Sequence, residues 1–176
     1  PQSILNLMCL LGKSFADHDW ILRTGGADGA DHAFAMGCES DLIDYSGRGG
    51  VLELYLPWDG FNGLHSKWCP PKREAYELAA EIHPAWLKCS EAAQKLHARN
   101  MHQVLGWDLD DPVKMVICWT PDGATDETGT STGGTGQAIR LANMYEIPVF
   151  NLYWVQHKMR AKIGRASCRE RVSIDV

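Results

Sequence analysis

Two glycine-rich segments of the chain have the residue types that bind anions. We call residues 24–31 (TGGADGAD) the first glycine loop and residues 132–137 (TGGTGQ) the second glycine loop. Each follows a short apolar run and precedes a stretch with helical spacing. Glycine lets the backbone approach a ligand closely, and the start of a helix adds partial positive charge. The pair predicts two loops that converge on one phosphate-bearing ligand, whereas either loop alone could be an ordinary tight turn.

Charged side chains near these loops are further candidates for ligand contact. Asp28 and Asp31 could accept hydrogen bonds from ribose hydroxyls or hold a water molecule. Alternatively, they complement the helix dipole, which contributes about 0.3–1 kcal/mol. Arg99, followed by Asn100, lies on a predicted helix, and its guanidinium suits a bidentate contact with phosphate. The competing interpretation of Arg99 is a solvated arginine on a helix surface.

A long loop, residues 57–71, carries aromatic and amide side chains that suit recognition of a base. Loops of this length are uncommon unless they cover a site. Trp58 and Phe61 could stack on a base while Asn62 reads its edge. The alternative is that the two aromatic side chains pin the loop to the core of the protein.

The cysteines and histidines do not have the spacing of a familiar metal site. The chain contains six cysteines and seven histidines, but no C-x-x-C pair and no H-E-x-x-H motif. It also lacks a nucleophile elbow and an ordered catalytic triad. We therefore expect no metal ion and no cofactor, and no catalytic residue is identified. Scattered cysteines inside apolar patterns are typical of a reduced cytoplasmic protein.

Predicted strands and helices alternate along the chain and indicate an α/β domain with a mainly parallel sheet. Helical spacing is found at residues 3–16, 30–37, 72–82, 90–105 and 134–145, and strand patterns at 20–23, 51–56, 113–119 and 148–152. Ligands of such sheets bind at the carboxyl ends of the strands. Both glycine loops are expected there.

Length and composition indicate one globular domain, and the chain ends differ from its body. The 176 residues are 45% hydrophobic and 22% charged, with no membrane-span pattern or signal peptide. Residues 161–176 resemble the translation of a sequencing adapter and are expected to be a non-native tail; the alternative is a basic disordered terminus. The whole chain has a charge of −5, and without the four basic and two acidic residues of the tail the charge is −7. An acidic body disfavours nucleic acid as a partner.

Three motifs together resemble a known superfamily over residues 4–152. The first glycine loop resembles the S-G-x-A-x-G-I-D loop of the DprA/Smf DNA-processing proteins. Residues 96–100 (LHARN) resemble the R-N-R-I-I segment of that family and the M-H-E-R-K segment of the LOG phosphoribohydrolases. Residues 133–136 (GGTG) resemble the P-G-G-x-G-T loop of LOG proteins. The chain thus resembles the SLOG (Smf/DprA–LOG) superfamily, in particular its small stand-alone DprA-like members from phages and bacteria.

The resemblance implies a Rossmann-like three-layer domain over residues 1–160 that holds a nucleotide or a nucleotide-derived ligand. Family members usually begin with a strand and a G-x-G-S-R loop that would precede Pro1, so the domain is expected to be truncated at this end. The residues expected to line the ligand or phosphate site are Thr24, Gly25, Gly26, Asp28, Gly29, Asp31, Arg99, Asn100, Thr120, Gly133, Gly134, Thr135 and Gly136.

The resemblance does not extend to the catalytic acid. LOG enzymes have a catalytic glutamate three residues after the threonine of the P-G-G-x-G-T loop. Here Gln137 stands at the threonine position and Arg140 at the glutamate position. A cation cannot stabilise an oxocarbenium-like sugar as a carboxylate does. Binding is therefore favoured over hydrolysis, unless Asp28 or Asp31 takes over that role.

Three functions are consistent with these patterns. The first is binding of a nucleotide, an ADP-ribose derivative or a cyclic nucleotide, by a sensor or by a protein that sequesters a signal. The second is LOG-like cleavage of nucleoside 5′-monophosphates. The third is DprA-like binding of single-stranded DNA, which needs basic grooves and stacking aromatics and is disfavoured by the negative charge. Pockets shared between protomers are common in such families, so a homo-oligomer is also a possible state of this protein.

Overall fold

A computed structural model describes residues 1–38, 52–126 and 134–158, together with the backbone of residues 171–174. The helices are α1 (Gln2–Ala16), α2 (Ala30–Cys38), α3 (Arg73–Ile82), α4 (Glu91–Leu105) and α5 (Thr135–Met144). The strands are β1 (Ile21–Thr24), β2 (Leu52–Leu54), β3 (Met115–Cys118), β4 (Val149–Asn151) and β5 (Arg171–Ile174). This arrangement confirms the predicted mixed α/β class.

The strands form one sheet in the order β2-β1-β5-β3-β4, and every neighbouring pair is parallel. Leu22 of β1 is opposite Leu52 of β2, and Val116 of β3 is opposite Val149 of β4. The strand β5 lies between these two pairs. It belongs to the segment 161–176, for which the sequence analysis predicts no strand.

Apolar side chains form two clusters that contact different faces of the sheet. One cluster joins α1, α2 and β1, and it includes Met8, Phe34 and Ile117. The other joins α3, α4 and α5, and it includes Met101 and Val116. Ile117 and Val116 are neighbours in β3 and enter different clusters because successive side chains of a strand point to opposite faces.

All strands of the described sheet run in one direction, so their carboxyl ends lie at the same edge. Thr24 ends β1 and leads into the first glycine loop, and α2 begins at Ala30 within that loop. Thr120 follows β3, and Asn151 ends β4. Thr24, the first glycine loop and Thr120, all predicted from the sequence, thus lie at one edge of the sheet, together with Asn151. Among the described residues, no helix is long and apolar enough to cross a membrane.

Candidate functional site

Asp31 is the centre of a buried polar network in the first glycine loop. Its side chain is fully buried, at 0% exposure. One carboxylate oxygen accepts hydrogen bonds from the hydroxyl of Thr24 at 2.9 Å and from the amide of Gln103 at 3.5 Å. The other accepts the backbone N–H of Ala27 at 3.1 Å. Asp31 therefore holds the loop against the end of β1, and both of its carboxylate oxygens are engaged within the protein.

Arg99 lies beneath the first glycine loop and faces Asp31. Its Nη1 atom is 3.6 Å from a carboxylate oxygen of Asp31, and its side chain is only 5% exposed. A Cβ at Gly25 would coincide with the guanidinium group, so any larger residue at this position would displace the end of the Arg99 side chain. Nη1 is buried and has no hydrogen-bond partner among the described residues. Of the two interpretations offered for Arg99, the solvated one is wrong.

Asn100 connects Arg99 to the second glycine loop. Its side-chain oxygen accepts a hydrogen bond from Nε of Arg99 at 2.9 Å, and its Nδ2 donates to the carbonyl of Gly134 at 3.3 Å. Thr135 and Gly136 are buried in the first turn of α5. The two loops are thus joined by a continuous path through α4. Gly133, also predicted to line the site, lies outside the described residues.

A cavity of about 200 Å³ lies on the α2 side of the first glycine loop. Its polar lining residues are Thr24, Asp28, Asp31, His32 and Asn62, and the leucines of β2 together with Leu64 form much of the apolar wall. Asp28 is exposed, in contrast to Asp31. Of these two acidic residues, Asp28 is therefore the one that a molecule in the cavity can reach.

The backbone of the first glycine loop uses glycine where other residues would be strained. Gly26 and Gly29 have positive φ angles of 67° and 97°. A Cβ at Gly26 would also lie 2.8 Å from a methyl carbon of Leu64. Both positions therefore need glycine for reasons of backbone conformation, and Gly26 also for space.

The long loop contributes its amide, rather than its aromatic rings, to this cavity. Asn62 donates a hydrogen bond to the carbonyl of Gly26 at 3.0 Å and so joins the long loop to the first glycine loop. Trp58 and Phe61 contact each other edge to face, with ring centroids 5.0 Å apart. Neither ring is among the lining residues of the cavity.

Thr120 and Asn151 form a hydrogen-bonded clamp at the ends of β3 and β4. Nδ2 of Asn151 donates to the hydroxyl of Thr120 at 2.6 Å and to the carbonyl of Ala124 at 2.7 Å. Its side-chain oxygen accepts the N–H of Thr120 at 3.3 Å and that of Tyr153 at 3.0 Å. The hydroxyl of Thr120 is therefore already engaged in holding the loop after β3.

Gln137 and Arg140, which replace the LOG threonine and glutamate, are directed toward α3 and each other. Gln137 donates to the carbonyl of Ala79 at 2.8 Å. Arg140 donates to the side-chain oxygen of Gln137 at 3.2 Å. This pair packs α5 against α3, and neither residue lines the cavity.

Sequence reasoning missed Gln103 and Asn151, which position the site without belonging to a motif. Gln103 is one helical turn after Arg99, and this i, i+4 spacing directs both side chains toward Asp31. The i, i+4 spacing of Arg99 and Gln103 is visible in the sequence and could have identified Gln103. Asn151 is the last residue of β4, within the strand pattern of residues 148–152, and nothing in its local sequence indicates its contacts with Thr120.

Comparisons with protein-family models, with curated proteins and with solved structures find no match to this chain. The geometry of the site is therefore the basis for a functional conclusion.

Proposed function

We propose that this chain is a SLOG-like, Rossmann-like three-layer domain that binds a nucleotide or a nucleotide-derived ligand, such as an ADP-ribose compound, at the first glycine loop. The observation that supports the proposal best is the buried Arg99. It has an ion-pair partner in Asp31, yet Nη1 has no hydrogen-bond acceptor among the described residues. A buried donor without a partner costs about 1–3 kcal/mol, and a phosphate oxygen would remove that cost.

The surroundings of Arg99 suit a phosphate group. Gly25 and Gly26 bring bare backbone to the guanidinium, and the start of α2 adds partial positive charge. Asp31 neutralises part of the charge on Arg99 and fixes the orientation of its fork. Because Gly25 has no Cβ, the guanidinium lies directly against the loop backbone, so a phosphate bound to that backbone would meet Arg99.

The size of the cavity limits how much of the ligand it encloses. At about 200 Å³ it is smaller than the roughly 300–1,000 Å³ of pockets that enclose whole small-molecule ligands. We therefore assign it to the ribose, with Asp28 and Asn62 as hydrogen-bonding partners of the sugar hydroxyls. The base would lie outside the cavity.

Titration calorimetry of the full chain with AMP, ADP-ribose and cyclic AMP tests this proposal. We expect one of these ligands to bind, and the Arg99→Lys variant to bind it at least about tenfold more weakly, because lysine keeps the charge but loses the fork. Arg73→Lys is the matched control, since Arg73 is an exposed arginine that pairs with Glu77 on the surface of α3. Absence of binding to all three ligands would refute the proposal.

Hydrolysis of a nucleoside monophosphate is a second candidate because Asp28 is an exposed carboxylate in the wall of the cavity. It could stabilise an oxocarbenium-like ribose in place of the LOG glutamate. Incubation with AMP followed by chromatography would then detect free adenine, and the Asp28→Asn variant would release none. If AMP is unchanged after prolonged incubation with the wild type, hydrolysis is excluded and only the binding proposal is left. Binding of single-stranded DNA is disfavoured by the net charge of −5, and neither Trp58 nor Phe61 lines the cavity.

A further inference from the structure

Folding brings two histidines and a cysteine together at the connection between α3 and α4. His83 follows the last residue of α3, Cys89 precedes the N-cap residue of α4, and His97 lies within α4. Their candidate ligand atoms all lie within 4.8 Å of one another. The Sγ atom of Cys89 is 3.8 Å from Nδ1 of His83, and the two imidazole rings are 4.5 Å apart.

His97 has an unused ligand atom. Its side chain is only 9% exposed, and its Nδ1 is buried without a hydrogen-bond partner among the described residues. A buried imidazole nitrogen left in this state is costly unless another group completes its coordination. His97, whose Nδ1 has no partner among the described residues, is thus also the third member of the cluster with His83 and Cys89.

The distance between Cys89 Sγ and His83 Nδ1 is close to that of a tetrahedral zinc site, whereas ligand atoms up to 4.8 Å apart would have to move closer on binding. With metal–nitrogen bonds of about 2.0–2.1 Å and a metal–sulfur bond of about 2.3 Å, ligand atoms of such a site lie about 3.3–3.6 Å apart. The observed sulfur–nitrogen distance of 3.8 Å needs only a small contraction. His83 Nδ1 now accepts the amide of Ala85 at 3.1 Å, a bond that coordination through this atom would replace.

The electrostatic surroundings keep both imidazoles in the form that binds metal. Burial, with added repulsion from the charges of His83, Arg140 and Arg99, lowers the pKa of His97 to about 4. Burial and Arg140 also lower the pKa of His83. Neutral imidazole is the ligand form of histidine. Arg140 repels a cation, and a Cys89 thiolate formed on binding would offset that repulsion.

We propose that His83, Cys89 and His97 bind a transition-metal ion of the Zn²⁺ class. The ion would join the connection after α3 to the second turn of α4 and would leave one coordination position for water or another donor. This ligand set has the spacing H-x5-C-x7-H. This spacing matches no familiar motif, so the sequence alone predicts no metal site, and only the fold places the three side chains together.

Metal titration of the full chain, reduced and stripped with a chelator, tests the proposal. We expect one equivalent of Co²⁺ to give the intense visible bands of tetrahedral coordination and a sulfur-to-cobalt charge-transfer band, and Zn²⁺ to displace it. Cys89→Ser should lose the charge-transfer band, and both Cys89→Ser and His97→Ala should weaken Zn²⁺ binding by about 100-fold or more, since even indirect partners of a site change affinity 10–100-fold.

Matched variants distinguish the loss of a metal-coordinating side chain from the loss of the folded structure. Cys9→Ser changes a half-buried cysteine of α1, and His18→Ala changes an exposed histidine after α1. Both should bind Zn²⁺ like the wild type. Circular dichroism should show that the metal-free Cys89→Ser protein is folded. Absence of the charge-transfer band in the wild type, or its persistence in Cys89→Ser, would overturn the proposal, as would equal Zn²⁺ affinity in His97→Ala.

Discussion

At the residue scale, Asp31 and Arg99 form a buried ion pair that orients a cation beneath a glycine loop. Pairs of this kind add little net stability, because desolvation of both charges offsets their attraction. Removing one partner is different, since it leaves the other charge buried alone. The value of the pair therefore lies in where it holds the guanidinium of Arg99.

Asp31→Ala should lower the free energy of unfolding by about 3–5 kcal/mol, because it leaves Arg99 buried without a counter-charge and Thr24 without an acceptor. Urea denaturation measures this change. Asp28→Ala is the control, and its exposed carboxylate should contribute within about 0.5 kcal/mol. Equal stability of the two variants would show that the network around Asp31 does not hold the loop.

Arg99 also shows what residue types alone can predict. From the sequence, both a phosphate contact and a solvated helix surface are open for Arg99, and a helix arginine is usually solvated. The i, i+4 partner Gln103 and the missing side chain at Gly25 decide the matter in the structure. Such packing depends on contacts between α4 and the end of β1, which no local pattern contains.

At the scale of elements, α3 and α4 are joined by a histidine. Nδ1 of His102 donates to the carbonyl of Gly106 at 3.1 Å, and Nε2 accepts the N–H of Lys72 at 3.0 Å. Both nitrogens are thus used in the neutral form. A second proton would have to displace the Lys72 amide, and burial lowers the pKa of His102 further.

The stability of the metal-free protein should therefore fall as the pH is lowered. His102 has an ordinary pKa of 6.5 and a lower one when folded. Below 6.5 the unfolded chain takes up a proton before the folded protein does, so the free energy of unfolding decreases until the folded pKa is passed. Denaturant titrations between about pH 7 and pH 4 measure this slope.

A His102→Gln variant tests the assignment, because the glutamine oxygen can accept the Lys72 amide but does not titrate. His83 and His97 give slopes of the same sign, so the informative quantity is the difference between the two proteins. We expect the variant to have the shallower slope. Identical slopes would mean that His102 does not contribute.

The boundaries of the elements follow the local sequence closely where caps and turns define them. Ser90 caps α4 by accepting the N–H of Ala93 at 3.2 Å, and α4 spans Glu91–Leu105 as the spacing predicts. The strand predicted at residues 51–56 is Leu52–Leu54 in the structure. Tyr55 instead forms an isolated bridge with Trp68, a contact with the long loop that strand patterns do not contain.

At the scale of the whole molecule, the sheet depends on β5. The pairs β2-β1 and β3-β4 are both connected through it, since Val172 lies opposite Leu22 on one side and Met115 on the other. From the sequence, the other four strands are predicted but none here, because residues 161–176 resemble the translation of a sequencing adapter and are expected to be a non-native tail. The position of a strand between distant partners is a property of the complete sheet.

Val172→Pro should therefore destabilise the protein. Proline removes a backbone donor from a central strand, and each lost hydrogen bond costs about 0.5–1.5 kcal/mol besides the steric conflict with neighbouring strands. Val172→Thr, which is also β-branched and keeps the backbone N–H, is the control. Thermal unfolding measures both variants. A melting temperature unchanged by proline would contradict a central position of β5.

The proposed binding mode places a phosphate group against Arg99 at the first glycine loop. Calorimetric titration of AMP and of adenosine into the wild type and the Arg99→Lys variant tests it most directly, because the two ligands differ only in the phosphate. We expect Arg99→Lys to weaken AMP by at least about tenfold and to leave adenosine affinity unchanged. Equal loss for both ligands, or no loss for AMP, would contradict the account.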